Sequence, residues 1–137
     1  MRVSDEKIDR IYCNSLTRNA DYEMKESHSH YYYELFYIKQ GTCQFFINNR
    51  IYHLSPGDYL IIPPHEVHYN QYLTQCTRYN IYFYRSDLIE DGFVSPEEIT
   101  QRLTLGVWHA PSAHRSSVEG VIDSMLLEES VNDAMTG

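Results

Sequence analysis

The sequence has 137 residues and a formal charge of −8, from 11 Lys and Arg against 19 Asp and Glu. That length is one domain, and 42% apolar with 22% charged residues is the composition of an ordinary globule, not of a disordered chain. A duplex binder needs a cationic footprint to release counterions, so this acidic stretch is not expected to bind nucleic acid by itself.

No apolar run approaches the roughly 18 residues of a membrane span, and the start, Met1 to Lys7, has no apolar signal region. Cys13, Cys43 and Cys76 are odd in number, far apart and in no Cys-x-x-Cys pair. They read as reduced thiols of a cytoplasmic protein. The 13 tyrosines suit strands, pockets and interfaces, because each has an apolar body and a polar tip.

From residue 8 to about 85 the chain reads as short strands and tight turns, punctuated by Gly41, Asn48-Asn49, Pro56-Gly57 and Pro63-Pro64. Asn48-Asn49 lies between Phe45-Phe46-Ile47 and Ile51-Tyr52. Asn tolerates positive φ, so this pair predicts a two-residue hairpin turn. After Arg85 the pattern turns helical. Ser95-Pro96-Glu97-Glu98 predicts a short helix at about 96–103. Ser116-Ser117-Val118-Glu119 precedes Val118, Val121, Ile122, Met125 and Leu126 at helical spacing, which predicts a second helix to about Val131 with that stripe packed on its own domain. Strands followed by helices, without βαβ alternation, give an all-β class with C-terminal helices, as a sandwich or barrel.

The densest chemistry lies in His28-Ser29-His30-Tyr31-Tyr32-Tyr33-Glu34. In one strand, side chains alternate faces, so His28, His30, Tyr32, Glu34 and Phe36 are expected on a common side. Two imidazoles and a carboxylate there can converge on a cation. Tyr32 is the pocket candidate on that face, and Phe36 reads as core. Asn80 and Tyr82 share one face of a later strand, with the choice of inward face open. His65 reads as an exposed loop residue, and His53, His109 and His114 as surface or turn residues.

His28 and His30, then three residues, Glu34, six residues and Gly41, resemble the first motif of the cupin superfamily. Gly57, five residues, Pro63 and then His68 resemble the second. Tyr22, His65 and Tyr72 depart from the pattern, standing where glycine, glycine and asparagine are usual. The resemblance implies a double-stranded β-helix, or jelly-roll barrel. It also implies His28, His30, Glu34 and His68 as metal ligands for Zn, Ni, Mn, Fe or Cu. A hydrogen-bonded polar lining without metal is the other reading of the same four residues.

Tyr33 to Ile38, the stretch Tyr52 to His68, Tyr79 to Phe83 and the helix through Glu129 further resemble the N-terminal ligand-sensing domain of AraC-family transcription regulators. That resemblance implies a barrel of residues 1–110 that senses a small effector, with Tyr32, His28, His30, Glu34 and His68 at the ligand. It implies a helical arm over 111–137, homodimerisation, and DNA binding only through a helix-turn-helix domain outside this stretch. The expectation is therefore the sensor half of a regulator, with a small polar ligand such as a sugar. The competing reading is a small metal-dependent cupin enzyme, an isomerase or dioxygenase.

Overall fold

A computed structural model describes residues 2–4, 11–20, 22, 28–90 and 103–136. The strands are β1 (Arg2–Ser4), β2 (Tyr12–Arg18), β3 (His28–His30), β4 (Tyr33–Gln40), β5 (Cys43–Ile47), β6 (Arg50–Leu54), β7 (Asp58–Ile62), β8 (His68–Tyr72), β9 (Cys76–Phe83) and β10 (Gly106–His109). Helix α1 spans Arg85–Glu90 and α2 spans Ser112–Thr136. One sheet has the order β1-β3-β8-β5-β6, and the other β10-β7-β4-β9-β2. All pairings are antiparallel except β1 with β3. From β3 to β9 the chain changes sheet at every connection except the β5–β6 hairpin. This is the sandwich expected from the strand pattern, in the jelly-roll arrangement that the cupin resemblance implies.

Turn chemistry makes those corners. Asn48 and Asn49 have φ of 52° and 62°, the doubly positive turn that matches strand twist in a two-residue hairpin. Gly57 has φ of 92°, a left-handed backbone that favours glycine; a Cβ there would lie 2.4 Å from Nε of the flexible Arg115 side chain, which would have to move aside. His65 has φ of 68°. It holds the left-handed backbone that a glycine would serve in its place, and its N–H donates to the His30 carbonyl at 2.8 Å.

The inner faces of the sheets form an apolar core of Phe36, Ile38, Cys43, Phe45, Ile47, Leu54, Leu60, Ile62, Tyr72 and Cys76. Phe36 and Phe45 meet edge to face with centroids 4.7 Å apart. The second sheet's outer face packs on α2, where Cys13, Tyr37, Tyr79 and Ile122 are buried with Val118, Met125 and Leu126 beside them. Val121 departs from the expected stripe: it is 63% exposed. It lies one residue off the row 118, 122, 125, 126 that faces the sheet, a 100° turn of the helix.

The tail differs from its sequence expectation in where its elements fall, and its long helix runs past Val131 to Thr136. Gly106–His109 forms β10 on the edge of β7, which caps that edge with a partner strand. Helix α2 starts at Ser112, ahead of the Ser116 capping box, directly after Pro111. Proline there has a preset helical φ, and its missing N–H is no loss in the first turn. Helix α1 was not anticipated; its N-terminus is closed by Asp87, whose carboxylate accepts from the Tyr84 N–H at 2.7 Å. The helix predicted at 96–103 lies, but for its last residue, outside the described residues.

Candidate functional site

His30, Glu34 and His68 meet at one end of the sandwich, each nearly fully buried, with one ligand-type atom apiece all within 4.8 Å of one another. They come from three strands. His30 ends β3 and His68 opens β8 in one sheet, while Glu34 is the second residue of β4 in the other. This corrects the single-strand expectation. The chain bends at Tyr31-Tyr32 and crosses between sheets, so His30 and Glu34 face each other across the sandwich instead of lying along one strand face. The backbone pairs His28 directly opposite His68; the His28 side chain lies outside what is described.

The hydrogen bonds define which atoms are available. His30 Nδ1 donates to the Tyr32 carbonyl at 2.9 Å, and His68 Nδ1 donates to the Glu66 carbonyl at 2.9 Å. A carbonyl only accepts, so both Nδ1 atoms carry hydrogen and a neutral ring has its lone pair on Nε2. Those two Nε2 atoms lie 3.0 Å and 3.8 Å from the same oxygen, Glu34 Oε1. Two lone pairs and a carboxylate oxygen repel unless something positive lies among them: a second proton on a ring, or a metal ion. Backbone-anchored Nδ1 atoms with convergent Nε2 atoms are the arrangement in which imidazoles bind first-row metals.

Glu34 is ionised in this setting. Burial pushes its carboxyl up, but the His30 hydrogen bond and the charges of His68, His30 and Arg78 outweigh that and hold it below its usual range. Its second oxygen, Oε2, accepts from Asn80 Nδ2 at 3.0 Å, and the same nitrogen donates to Tyr82 Oη at 2.6 Å. Asn80 and Tyr82 therefore share the inward face of β9, the choice that periodicity left open, and Tyr79 faces outward.

Tyr32 is buried in the bend and stacks on His30, with centroids 4.4 Å apart and planes 6° apart. Tyr82 and Tyr84 meet the Tyr32 ring edge-on at 5.3 Å and 6.4 Å. Burial and the Glu34 charge push the Tyr82 hydroxyl up, so it stays protonated. Two buried acceptors, Asn70 Oδ1 and Asn80 Oδ1, have no hydrogen-bond partner among the described residues. Phe36 is plain core. His65 is exposed and touches Tyr31 edge-on at 5.0 Å. His53 and His114 are exposed and away from the cluster. His109 is exposed too, and its Nδ1 donates to Asp58 while Arg115 donates to its Nε2 at 2.9 Å.

The sequence reading missed Asn70 and Asn80 as members of this region. Alternation placed Asn80 on a face without saying which way it points, and did not single out Asn70; cross-strand register sets Asn80 opposite Phe36 and Asn70 opposite Phe45, both inward.

A family model described as AraC-like ligand binding domain matches residues 15–134. No curated protein sequence matches the chain. Among solved structures, ToxT from Vibrio cholerae, in a form described as bound to an unsaturated fatty acid, superposes with a TM-score of 0.63 at 10% identity, over 88% of this chain and 48% of ToxT. A cupin superfamily protein from Desulfitobacterium hafniense superposes with a TM-score of 0.52 at 18% identity, over 58% of this chain and 72% of that one. The chain thus spans about half the length of ToxT, and the cupin jelly-roll is the shared fold.

Proposed function

Because the chain belongs to the family of AraC-like ligand-binding domains, we propose that it senses a small polar effector at the His30–Glu34–His68 end of its barrel, with Tyr32 as an aromatic wall. Family membership separates the two readings of the sequence: the chain is an effector-sensing domain, not an enzyme. The observation that carries the choice of ligand is the polar end of an otherwise apolar interior, where Asn70 Oδ1 and Asn80 Oδ1 lack donors among the described residues. A buried orphan acceptor costs about 1–3 kcal/mol, and a hydroxyl- or amine-bearing ligand relieves it. A fatty acid, the class named for one ToxT structure, presents a carboxylate without donors and a long alkyl chain. The apolar end here is already filled by Phe36, Phe45 and Leu60. Sugars and polyols fit this chemistry better.

The donor set also fits a divalent first-row metal: Zn, Ni, Mn, Fe or Cu. His30, Glu34 and His68 would hold it, with His28 as the fourth ligand by the cupin spacing. A bound metal would supply a Lewis-acidic anchor for an effector oxygen. Tyr32 and Tyr82 would shield the site from water, and the orphan asparagine oxygens would orient the ligand's donors.

In this reading the effector favours one conformation of the barrel, and helix α2 passes that bias to a DNA-binding domain elsewhere in a longer, homodimeric, cytoplasmic protein. The test is a thermal-shift screen of monosaccharides, polyols, small carboxylic acids and an unsaturated fatty acid. A sugar or polyol should raise Tm, and Tyr32→Ala and Glu34→Gln should each abolish the rise. A response to the fatty acid alone would overturn the ligand class. A sugar response untouched by either substitution would move the site elsewhere. Sedimentation of the chain across a concentration series should show a dimer.

A further inference from the structure

Asn80 stands diagonally across the β4–β9 ladder from Glu34. The register pairs Glu34 with Tyr82 and Phe36 with Asn80, so Asn80 lies two residues along β9 from Glu34's direct partner, within reach of its carboxylate. Its amide orientation is not arbitrary. Glu34 Oε2 only accepts, so the atom 3.0 Å from it must be the amide nitrogen. The two hydrogens of that nitrogen have two recipients, Glu34 Oε2 and Tyr82 Oη. Turning the amide over would set oxygen against carboxylate, so the orphan Oδ1 is a consequence of this anchoring.

The result is a division of labour within one carboxylate. Oε2 is held from β9, and Oε1 faces His30 and His68. The terminal torsion of Glu is soft and broad, so an unheld carboxylate would sample many rotations. We propose that Asn80 is a positioning residue, which locks the Glu34 carboxylate so that Oε1 completes a divalent-cation site with the Nε2 atoms of His30 and His68. This rests on the metal reading above. Nothing in the cupin spacing points to position 80; the assignment comes from the ladder register and the amide's two bonds. Outer-sphere partners of this kind are worth about 10–100-fold in metal affinity.

The probe is Co2+, whose visible d–d absorption reports ligand geometry, with Zn2+ competition giving the affinity, at pH 7.5. The unsubstituted chain should bind near one equivalent, and Glu34→Gln should abolish the bands or strongly weaken them. Asn80→Leu, which keeps volume but removes both donors, and Asn80→Ala should each weaken binding by about 10–100-fold and shift the bands. Tyr82→Phe leaves the Glu34 bond in place and should change affinity only a few-fold. Circular dichroism shows which variants are folded, and having two Asn80 variants means the outcome does not depend on Ala being tolerated at a buried site. Binding in both Asn80 variants within twofold of the parent, with unchanged bands, would overturn the role of Asn80 while leaving the metal site standing. A folded parent chain that binds neither Co2+ nor Zn2+ at millimolar concentration would overturn the metal reading, and the positioning role with it.

Discussion

Strands β4 and β9 present opposite faces with opposite chemistry. Inward, they carry Glu34, Phe36, Asn80 and Tyr82. Outward, they carry Tyr37 and Tyr79, which stack with centroids 6.0 Å apart. Those two rings donate to carboxylates of helix α2, Tyr37 to Glu119 at 2.7 Å and Tyr79 to Asp123 at 3.1 Å. Each face therefore has carboxylates in hydrogen bonds, but the contexts differ. Glu34 is a strand residue in a water-excluded interior, with every partner a fixed side chain. Glu119 and Asp123 are helix residues at a rim, where water can replace a lost partner. The same kind of bond should therefore matter most for ligand chemistry inside and for docking the helix outside.

Phe36→Ala is the strongest way to break the inner face. Phe36 is 1% exposed and interlocks with Phe45. Its removal leaves a cavity between two sheets that cannot collapse together, and should cost about 3–5 kcal/mol in urea denaturation. The outer face has a matching anchor in Ile122, 4% exposed against Tyr37 and Tyr79. Ile122→Ala should cost about 2–4 kcal/mol, toward the lower end because a helix on a sheet can settle into the space. A cost above that of Phe36→Ala would show that α2 is integral to the core and not a covering layer.

Tyr37→Phe sharpens the comparison further, since it deletes one hydroxyl and no packing. A hydrogen bond to a charged acceptor is worth about 1.5–3 kcal/mol, and less here because Glu119 is half exposed and can turn to water. A loss of about 1 kcal/mol is expected near neutral pH. The pH dependence has a defined sign. Burial, then the Glu119 hydrogen bond and charge, push the Tyr37 hydroxyl up, and burial pushes Tyr79 up as well. A raised folded pKa favours the protonated form in the native state. That stabilisation is complete below the unfolded tyrosine value of about 10 and is lost as pH rises through the folded value. The chain should therefore lose stability above about pH 10, and Tyr37→Phe should flatten that alkaline loss. Equal slopes in the two proteins, from Tm measured across pH 8 to 11, would show that the Tyr37 hydroxyl is not held in this way.

Much of this arrangement was readable in the sequence, though not always by the right route. The ligand-like spacing led to His30, Glu34 and His68, and the cluster forms. The strand-face argument behind it does not hold, because parity is a local property and the bend at Tyr31-Tyr32 moves the chain to another sheet. The Asn48-Asn49 turn was legible because its chemistry is local. Asn80 was not, because its role depends on a register set by residues more than 40 positions away. Elements α1 and β10 were too short for periodicity to declare them: six residues and four.

Val121 marks the limit of the outer face and the smallest expected effect. Helical spacing put it in the packed stripe, but its side chain is 63% exposed. In an isolated domain, Val121→Ser removes little buried area, and the two residues have similar helix propensities. The change in stability should stay within about 0.5 kcal/mol, the range of surface substitutions away from special features. Ile122→Ala, one position along the same helix, should cost several times more. The pair can also report on association. If the exposed side of α2, where Val121 and Leu127 are both open, is covered by a second copy, burial in that copy makes Val121 behave as core. Val121→Ser would then cost over 1 kcal/mol, and Tm would fall on dilution for the parent but not for the variant. Urea midpoints and Tm at two protein concentrations decide between the outcomes. A small, concentration-independent effect places the outer boundary of the domain at Val121, and a large, concentration-dependent one moves that boundary into a dimer.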